Sequence, residues 1–353
     1  MASVDSSSAT GVATRTKSTT RISAAWATRA LFSAAALGAM QFVRTPEAAR
    51  QPFAHFVGPV AWPSANAFGT SREVKVRFTL PGREVEFPLA VAGDPSALAY
   101  QWVPVADTTP VTDPRSFSGA GVVAPPKAGF YQLLLLRRGQ NGDSSVTRER
   151  MSEPTLAVMV PFSAKAGSLL NGYRIGVYLA ERLGGERDEP EGFLEVGPQE
   201  LGLQVSKHFR LADFVTHDSQ EDVWPKYVAL NPRLLDKLEL VVSEVARIRG
   251  VSSDSVPGLD VHSGFRTPAH NAQVQWSARD SRHQYGDAAD VVLDADGDGR
   301  LTGADSRLVA TAVDSVEDAH PELVGGLGLY TSSRYRTPYV HIDTRGHRSR
   351  WRG

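Results

Sequence analysis

Ser281-Arg-His283-Gln-Tyr-Gly286-Asp-Ala-Ala-Asp290-Val-Val-Leu293 is the stretch on which the reading of this 353-residue chain turns. The run after Asp290 is apolar and β-branched, which places Asp290 on, or at the mouth of, a buried strand. A carboxylate there needs a partner, because burying an unpaired charge is costly. His283 lies seven positions upstream, and Gly286 permits a tight reversal between the two, so both side chains can face one point. Tyr339-Val-His341-Ile-Asp343 reads as a further strand. Its period of two puts Tyr339, His341 and Asp343 on one face and packs Val340 and Ile342 on the other. His283, Asp290 and His341 then supply two imidazoles and one carboxylate with a fourth position open, the ligand set of a catalytic zinc. The structural alternative for the last strand is an ordinary exposed His341–Asp343 pair at a sheet edge. The chain has no cysteine, so no disulfide holds the fold and any metal site is built from His and carboxylates.

Directly after the Asp290 strand comes Asp294-Ala-Asp296-Gly-Asp298-Gly299-Arg300-Leu301-Thr302-Gly-Ala-Asp305. Asp294, Asp296 and Asp298 fill the first, third and fifth positions of an EF-hand-type loop and Gly299 the sixth. Arg300 offers its main-chain carbonyl at the seventh, Leu301 at the eighth can pack inward, and Asp305 takes the twelfth in place of the usual Glu. Carboxylates this crowded repel one another unless a cation joins them. The expectation is a calcium loop over 294–305 with an exiting helix from Ser306 through Val316. It resembles the loops of dockerin-like repeats, which also end in Asp. A single loop argues for a structural clip beside Asp290 rather than a paired calcium sensor; a polar loop that only turns the chain is the alternative.

Upstream, Asn231-Pro232 predicts a helix start, with Asn as cap and Pro at the first helical position. Leu234, Leu235, Leu238, Val241, Val242, Val245 and Ile248 recur at helical spacing, and Gly250 ends the helix, giving a buried amphipathic scaffold. Farther upstream the pattern is β. Val74, Val76, Phe78 and Leu80 alternate, Pro81-Gly82 turns, and Val85, Phe87 and Leu89 resume, which reads as a hairpin. Tyr131 to Leu136 and Leu156 to Phe162 are further strands around a loop at 139–143, with Pro-rich loops over 104–126. The fold expected is α+β. A small β-sandwich-like accessory domain (51–165, its first twenty residues linker-like) precedes an α+β domain (166–353), whose small antiparallel sheet carries the ligands in front of the 232–249 helix.

Residues 1–50 read as a targeting segment: Arg15, Lys17, Arg21 and Arg29 precede an apolar stretch from Ala30 to Val43, with small residues at Ala48-Ala49. Export to the periplasm or cell surface is the expectation, with membrane contact only through this segment if it is uncleaved. A net charge of −1 argues against a broad nucleic-acid footprint.

The pattern Ser281-x-His283-x-x-Gly286-x-Ala-x-Asp290, followed by Val340-His341-x-Asp343, resembles the zinc D-Ala-D-Ala carboxypeptidase family, which includes D,D-dipeptidases and murein or endolysin endopeptidases. His262-Ser-Gly-Phe-Arg266-Thr-Pro is similar to that family's Ser-Gly-Tyr-Arg-Ser-Pro segment, and Gly325-Gly-Leu-Gly328-Leu-Tyr330 to its Gly-Val-Gly-Tyr-Tyr strand. The ending Asp343-Thr-Arg-Gly-His-Arg-Ser-Arg-Trp351, and Val205-Ser-Lys-His-Phe209-Arg-Leu-Ala-Asp213-Phe214 upstream, resemble the murein endopeptidase K-like branch. The resemblance covers about 200 to 353. It implies zinc on His283, Asp290 and His341, with Arg266 binding the substrate's carboxylate or carbonyl, and peptidoglycan stem peptides as substrate. A planar guanidinium suits an anionic terminus.

One position departs from the family. Many members carry the general base three residues before the last His, where this chain has Pro338. Asp343 is the nearest substitute as base, or else a group that orients a ligand. The expected function is therefore a zinc-dependent hydrolase of stem-peptide amide bonds, a D,D-carboxypeptidase or murein endopeptidase. The rivals are a non-catalytic, metal-containing module that binds cell wall or protein, and a calcium-dependent surface adhesion protein.

Overall fold

Asn231 accepts a hydrogen bond from the Arg233 amide and Pro232 occupies the first turn, so the helix Pro232–Arg249 starts where capping chemistry places it. Gly250 closes it in the left-handed conformation (φ 67°). Leu234, Leu235, Leu238, Val241, Val242 and Val245 are fully buried, whereas Ile248, expected on the same stripe, lies exposed in the last turn. Truncating one of the buried leucines to Ala should cost about 2–5 kcal/mol. The computed structural model describes residues 54–56 and 69–353, apart from short gaps at 88, 92–94, 118–120, 140–144, 185–187, 257–258 and 333–334. The expected targeting segment lies outside the described residues, and among those described no helix is long and apolar enough to cross a membrane.

The described chain is mixed α+β. In its first half, a sheet runs in the order Val76–Thr79, Thr155–Val158, Gly129–Arg138, Leu98–Pro104, Arg115–Ser116, with Val146–Arg150 also paired to the long 129–138 strand. The expected hairpin does not form. The chain does turn at Pro81-Gly82, but Val76–Thr79 pairs in parallel with Thr155–Val158, while Glu84–Glu86 pairs with Gly121–Val123. Packing decides this: Val76 and Phe78 enter the large core, and Val85 and Phe87 enter a second core with Trp102, Leu133 and Leu135 on the opposite face of the sheet. Trp102 meets the Phe87 ring edge-on at 5.7 Å and donates its Nε1–H to the Val123 carbonyl (2.8 Å), so the small ladder is fastened over the sheet. Within the expected linker, Ala54–Phe56 forms a strand with Leu89–Val91.

The large core runs without a break across residue 165. Val76, Phe78 and Ala157 share it with Phe193, Leu234, Val291 and Ile342. Main-chain bonds from Lys75 to Val205 (2.9 Å) and from Lys207 to Glu73 (3.0 Å) stitch the same seam. Asp236, on the helix, accepts from the amides of Thr70 (2.8 Å) and Ser71 (2.7 Å). Residues Pro52–Gly353 form one compact unit.

The second half is organised around a five-stranded sheet in the order Asp260–Ser263, Ala288–Val292, Tyr339–Asp343, Gly326–Tyr330, Ser349–Arg352. All neighbours are antiparallel except the last pair, which is parallel, so the expected antiparallel sheet is in fact mixed. Pro232–Arg249 packs against the helix Gly303–Ala319, and the latter also lies against the two strands 326–330 and 339–343. The register sets Asp290 directly opposite His341, and Gly328 opposite both His341 and Trp351. A Cβ at Gly328 would stand 2.5 Å from the Trp351 ring, so glycine there lets the indole lie across the strand.

Candidate metal centre

Each element delivers one side chain. The strand Ala288–Val292 is buried throughout and carries Asp290; the neighbouring Tyr339–Asp343 carries His341. His283 sits on the single turn Arg282–Tyr285, which ends at Gly286 with φ of 70°. That glycine is required twice over, for the left-handed turn and because a Cβ would overlap the Ala229 carbonyl. The reversal read from the sequence is thus real, and His283, Asp290 and His341 are all buried and converge on one point.

Hydrogen bonds fix which atom of each ring faces that point. His283 Nδ1 lies 2.7 Å from the Gly264 carbonyl, which only accepts, so Nδ1 carries the proton and Nε2 keeps its lone pair. His341 Nε2 lies 3.2 Å from the Asp343 carboxylate, so in the neutral ring Nε2 donates and Nδ1 keeps the lone pair. Asp290 Oδ2 accepts from Arg266, which also donates to Ser263 Oγ (2.6 Å), leaving Asp290 Oδ1 for the centre.

Three lone-pair atoms then face one another: His283 Nε2 to His341 Nδ1 at 3.2 Å, His341 Nδ1 to Asp290 Oδ1 at 2.9 Å, and His283 Nε2 to Asp290 Oδ1 at 3.3 Å. Ligand bonds of about 2.0–2.1 Å in a tetrahedral zinc site imply ligand–ligand edges of about 3.3 Å. The donor set and its spacing fit zinc. A proton is the competing occupant. Burial lowers the His341 pKa, but hydrogen bonds and charge from Asp290 and Asp343 outweigh it and leave His341 raised above 6.5. Burial is the main effect on His283 and pushes it below 6.5, toward the neutral, ligating form.

The trio opens into a cleft of about 410 Å³. Tyr330 and Tyr339 stack on one wall, with centroids 4.4 Å apart and planes 6° apart, and Tyr335 meets both edge-on. Trp351 lies 5.2 Å from the His341 ring and donates to the Tyr330 hydroxyl (2.8 Å). Arg266 and Arg345 line the cleft near His283, Asp290 and His341, and Trp276 stands at its mouth with 92% of its surface exposed.

Asp343, expected as a base, does not line this cleft. Its carboxylate is fully buried behind His341 and also accepts from the Gly326 amide (2.7 Å) and the Arg345 guanidinium. Burial would raise its pKa, but those partners hold it well below the usual carboxylate range. Such a group orients His341 and does not take protons from water in the cleft. Among the described residues the acidic side chains lining the cleft are Asp290 and Asp280, and Asp280 accepts from the Tyr285 hydroxyl.

In the Asp-rich loop, the carboxylates of Asp294, Asp296 and Asp305 bring ligand atoms within 4.8 Å of one another, and that of Asp298 is not in the group. Leu301 is 44% exposed and does not pack inward. Asp305 is buried and accepts from the amides of Ala295 (2.9 Å) and Thr302 (2.7 Å), so it also caps the following helix, which extends beyond its expected bounds to Gly303–Ala319.

Comparison with known protein families, with characterised proteins and with solved structures finds no match to this chain.

Sequence reasoning missed the layer behind the ligands. Lys237 Nζ, wholly buried, donates to Glu317 (2.7 Å) and to the Asp343 carbonyl (2.7 Å). The signal was present: a lysine stands three residues after Leu234 and four before Val241, inside the apolar stripe. The Tyr330–Tyr335–Tyr339 wall had no comparable signal beyond its tyrosines, because it is assembled from two strands and a loop.

Proposed function

We propose that this chain is a zinc-dependent peptidase that hydrolyses amide bonds in peptidoglycan stem peptides, as a D,D-carboxypeptidase or murein endopeptidase. The observation that carries the metal is the convergence of His283 Nε2, His341 Nδ1 and Asp290 Oδ1, each freed for ligation by a hydrogen bond on its far side. The substrate class rests on the ordered motifs around Arg266, His283, Asp290 and His341. When bound, zinc supplies Lewis-acid chemistry, activating water and polarising a carbonyl oxygen at neutral pH.

The chain's own residues do the rest. Gly264 and Asp343 hold the two rings in their ligating tautomers. Arg266 steadies Asp290 and presents a guanidinium to the cleft, where it meets the anionic end or a carbonyl of the peptide. The stacked Tyr330 and Tyr339 wall one side of the cleft against solvent. Asp343 acts through His341 and is a positioning residue. Calcium on the 294–305 loop serves as a structural clip, supported by the cluster of Asp294, Asp296 and Asp305. Export to the periplasm or cell surface would put the enzyme beside its substrate.

A second reading, a metal-containing module that binds wall peptide or a protein without cutting, is favoured by one observation. Pro338 stands where a base is expected, and Asp343 is turned away from the cleft. The zinc-loaded chain and His283→Ala are incubated with muropeptides and the products weighed by mass spectrometry. A mass loss that requires His283 supports the peptidase and names the bond. Stoichiometric zinc and muropeptide binding without product would replace it with the binding module.

A further inference from the structure

Trp276 has the largest exposed fraction of any bulky apolar side chain among the described residues, and its backbone is left-handed (φ 66°). A bulky L-residue is strained there, because its Cβ crowds the neighbouring carbonyl. Hydrogen bonds of the surrounding turn hold the strained backbone, but nothing offsets the exposure: the indole makes no hydrogen bond and no ring contact among the described residues. A bulky side chain held in a strained conformation and left in solvent points to function, because burial would otherwise reward the strain.

The turn itself is firmly held. The Ser277 amide donates to the Val274 carbonyl (3.2 Å), Ser277 Oγ donates to the Asn271 carbonyl (2.7 Å), and Asn271 Nδ2 donates to the Ala278 carbonyl (2.9 Å). Asn271 is buried on the short helix capped by Thr267, next to Arg266. Trp276 is therefore a fixed shelf at the mouth of the cleft that holds His283, Asp290 and His341. Its surroundings are polar. Gln275, Ser277, Asp280 and Ser281 line the cleft beside it, with Val274 and Ala278 among them. An exposed indole face beside amide, hydroxyl and carboxylate side chains matches a pyranose ring, which has an apolar C–H face and a rim of hydroxyls. An apolar peptide side chain or a lipid would call for an apolar rim.

We propose that Trp276 is the stacking platform of a saccharide subsite at the mouth of the metal cleft, so that the preferred substrate is a stem peptide still attached to its sugar. This rests on the peptidase reading for the peptide, while the sugar contact stands on Trp276 itself. Calorimetric titration of the zinc-loaded full chain with a tetramer of β-1,4-linked N-acetylglucosamine tests the contact. Wild type should bind; Trp276→Phe should bind more weakly; Trp276→Ala should lose at least about tenfold in affinity, the scale of one aromatic stacking contact. In parallel, kcat/KM is measured on one stem peptide with and without its disaccharide. The ratio should favour the sugar-linked form in wild type and fall toward one in Trp276→Ala, with zinc stoichiometry and melting temperature of the variants as controls for folding. Sugar binding unchanged in Trp276→Ala, or no sugar binding by wild type, overturns the proposal, as does a wild-type ratio of one. If wild type cuts neither peptide, the peptidase reading fails and the titration still decides the subsite.

Discussion

Asp343 Oδ2 lies 3.2 Å from His341 Nε2, while Asp290 Oδ1 lies 2.9 Å from His341 Nδ1, so the imidazole is gripped by a carboxylate on each nitrogen. One grip faces the cleft and the other is wholly buried. Metal-ligating histidines commonly donate their second nitrogen in this way, and losing that partner weakens the metal site rather than the chemistry alone.

Asp343→Ala should therefore lower zinc affinity by about 10–100-fold. Competition titration against a chromophoric chelator measures it. A base would behave otherwise: zinc affinity would hold while turnover collapsed, and that pattern would return Asp343 to the catalytic role.

Zinc binding should tighten as pH rises. His341 has a raised pKa in the metal-free protein, so its proton contributes stability that is fully present below 6.5 and is lost as pH rises through the folded value. Within that window metal must displace the proton, since only the free lone pair ligates. Zinc dissociation constants from pH 5.5 to 8.5, with proton release read by calorimetry in two buffers, check the sign. A pH-independent affinity would rule out His341 as a ligand.

Behind the site, Lys237 and Glu317 form a pair with no solvent exposure of either side chain. Lys237→Met leaves Glu317 with Arg350 (2.6 Å) and the Gly325 amide (3.0 Å) and takes the lysine donor from the Asp343 carbonyl, so it should cost less than a wholly unpaired buried charge, which costs about 3–5 kcal/mol, with Lys237→Met/Glu317→Gln regaining part of the loss. Denaturant unfolding of the single and double variants tests this, and a double variant that loses the sum of two single losses would show that the residues act independently.

The convergence of His283, Asp290 and His341 was legible because each sits in a local pattern: Gly286 forces a turn after His283, and β-branched runs bury Asp290 and His341. The register that places Asp290 opposite His341 is a long-range pairing that neither strand's own spacing states; only the convergence of the two side chains was readable. Pairing in the first half was not readable in the same way. Val76–Thr79 and Glu84–Glu86 alternate as a hairpin should, but their partners, Thr155–Val158 and Gly121–Val123, lie far along the chain. Alternation reports which face of a strand is apolar, and not which strand is beside it. Asp343 was placed correctly on the His341 face; its inaccessibility follows from Gly326 and Arg345, which local spacing does not reveal.

The Asp-rich loop allows a capping role and a cation role to be separated. Asp305 accepts from Ala295, Asp296 and Thr302 amides, so it stabilises the start of the 303–319 helix with or without an ion. Asp296 is exposed and, among the described residues, accepts only from the Asp298 amide (3.2 Å), a bond that an asparagine oxygen keeps. Asp296→Asn should therefore leave the calcium-free melting temperature where it is in wild type. Asp305→Ala should lower it, by the roughly 0.5–2 kcal/mol that a lost cap costs. Calcium at about 100 times its dissociation constant should stabilise wild type by about 2.7 kcal/mol. Asp296→Asn, with one ligand charge fewer, should need more calcium for the same shift, and Asp305→Ala should respond little. Thermal melts of the zinc-loaded protein across a calcium series measure all of these. If wild type does not shift, the loop is a capping turn and calcium has no part in it; if Asp296→Asn shifts at the same calcium concentration, Asp296 contributes nothing to the binding.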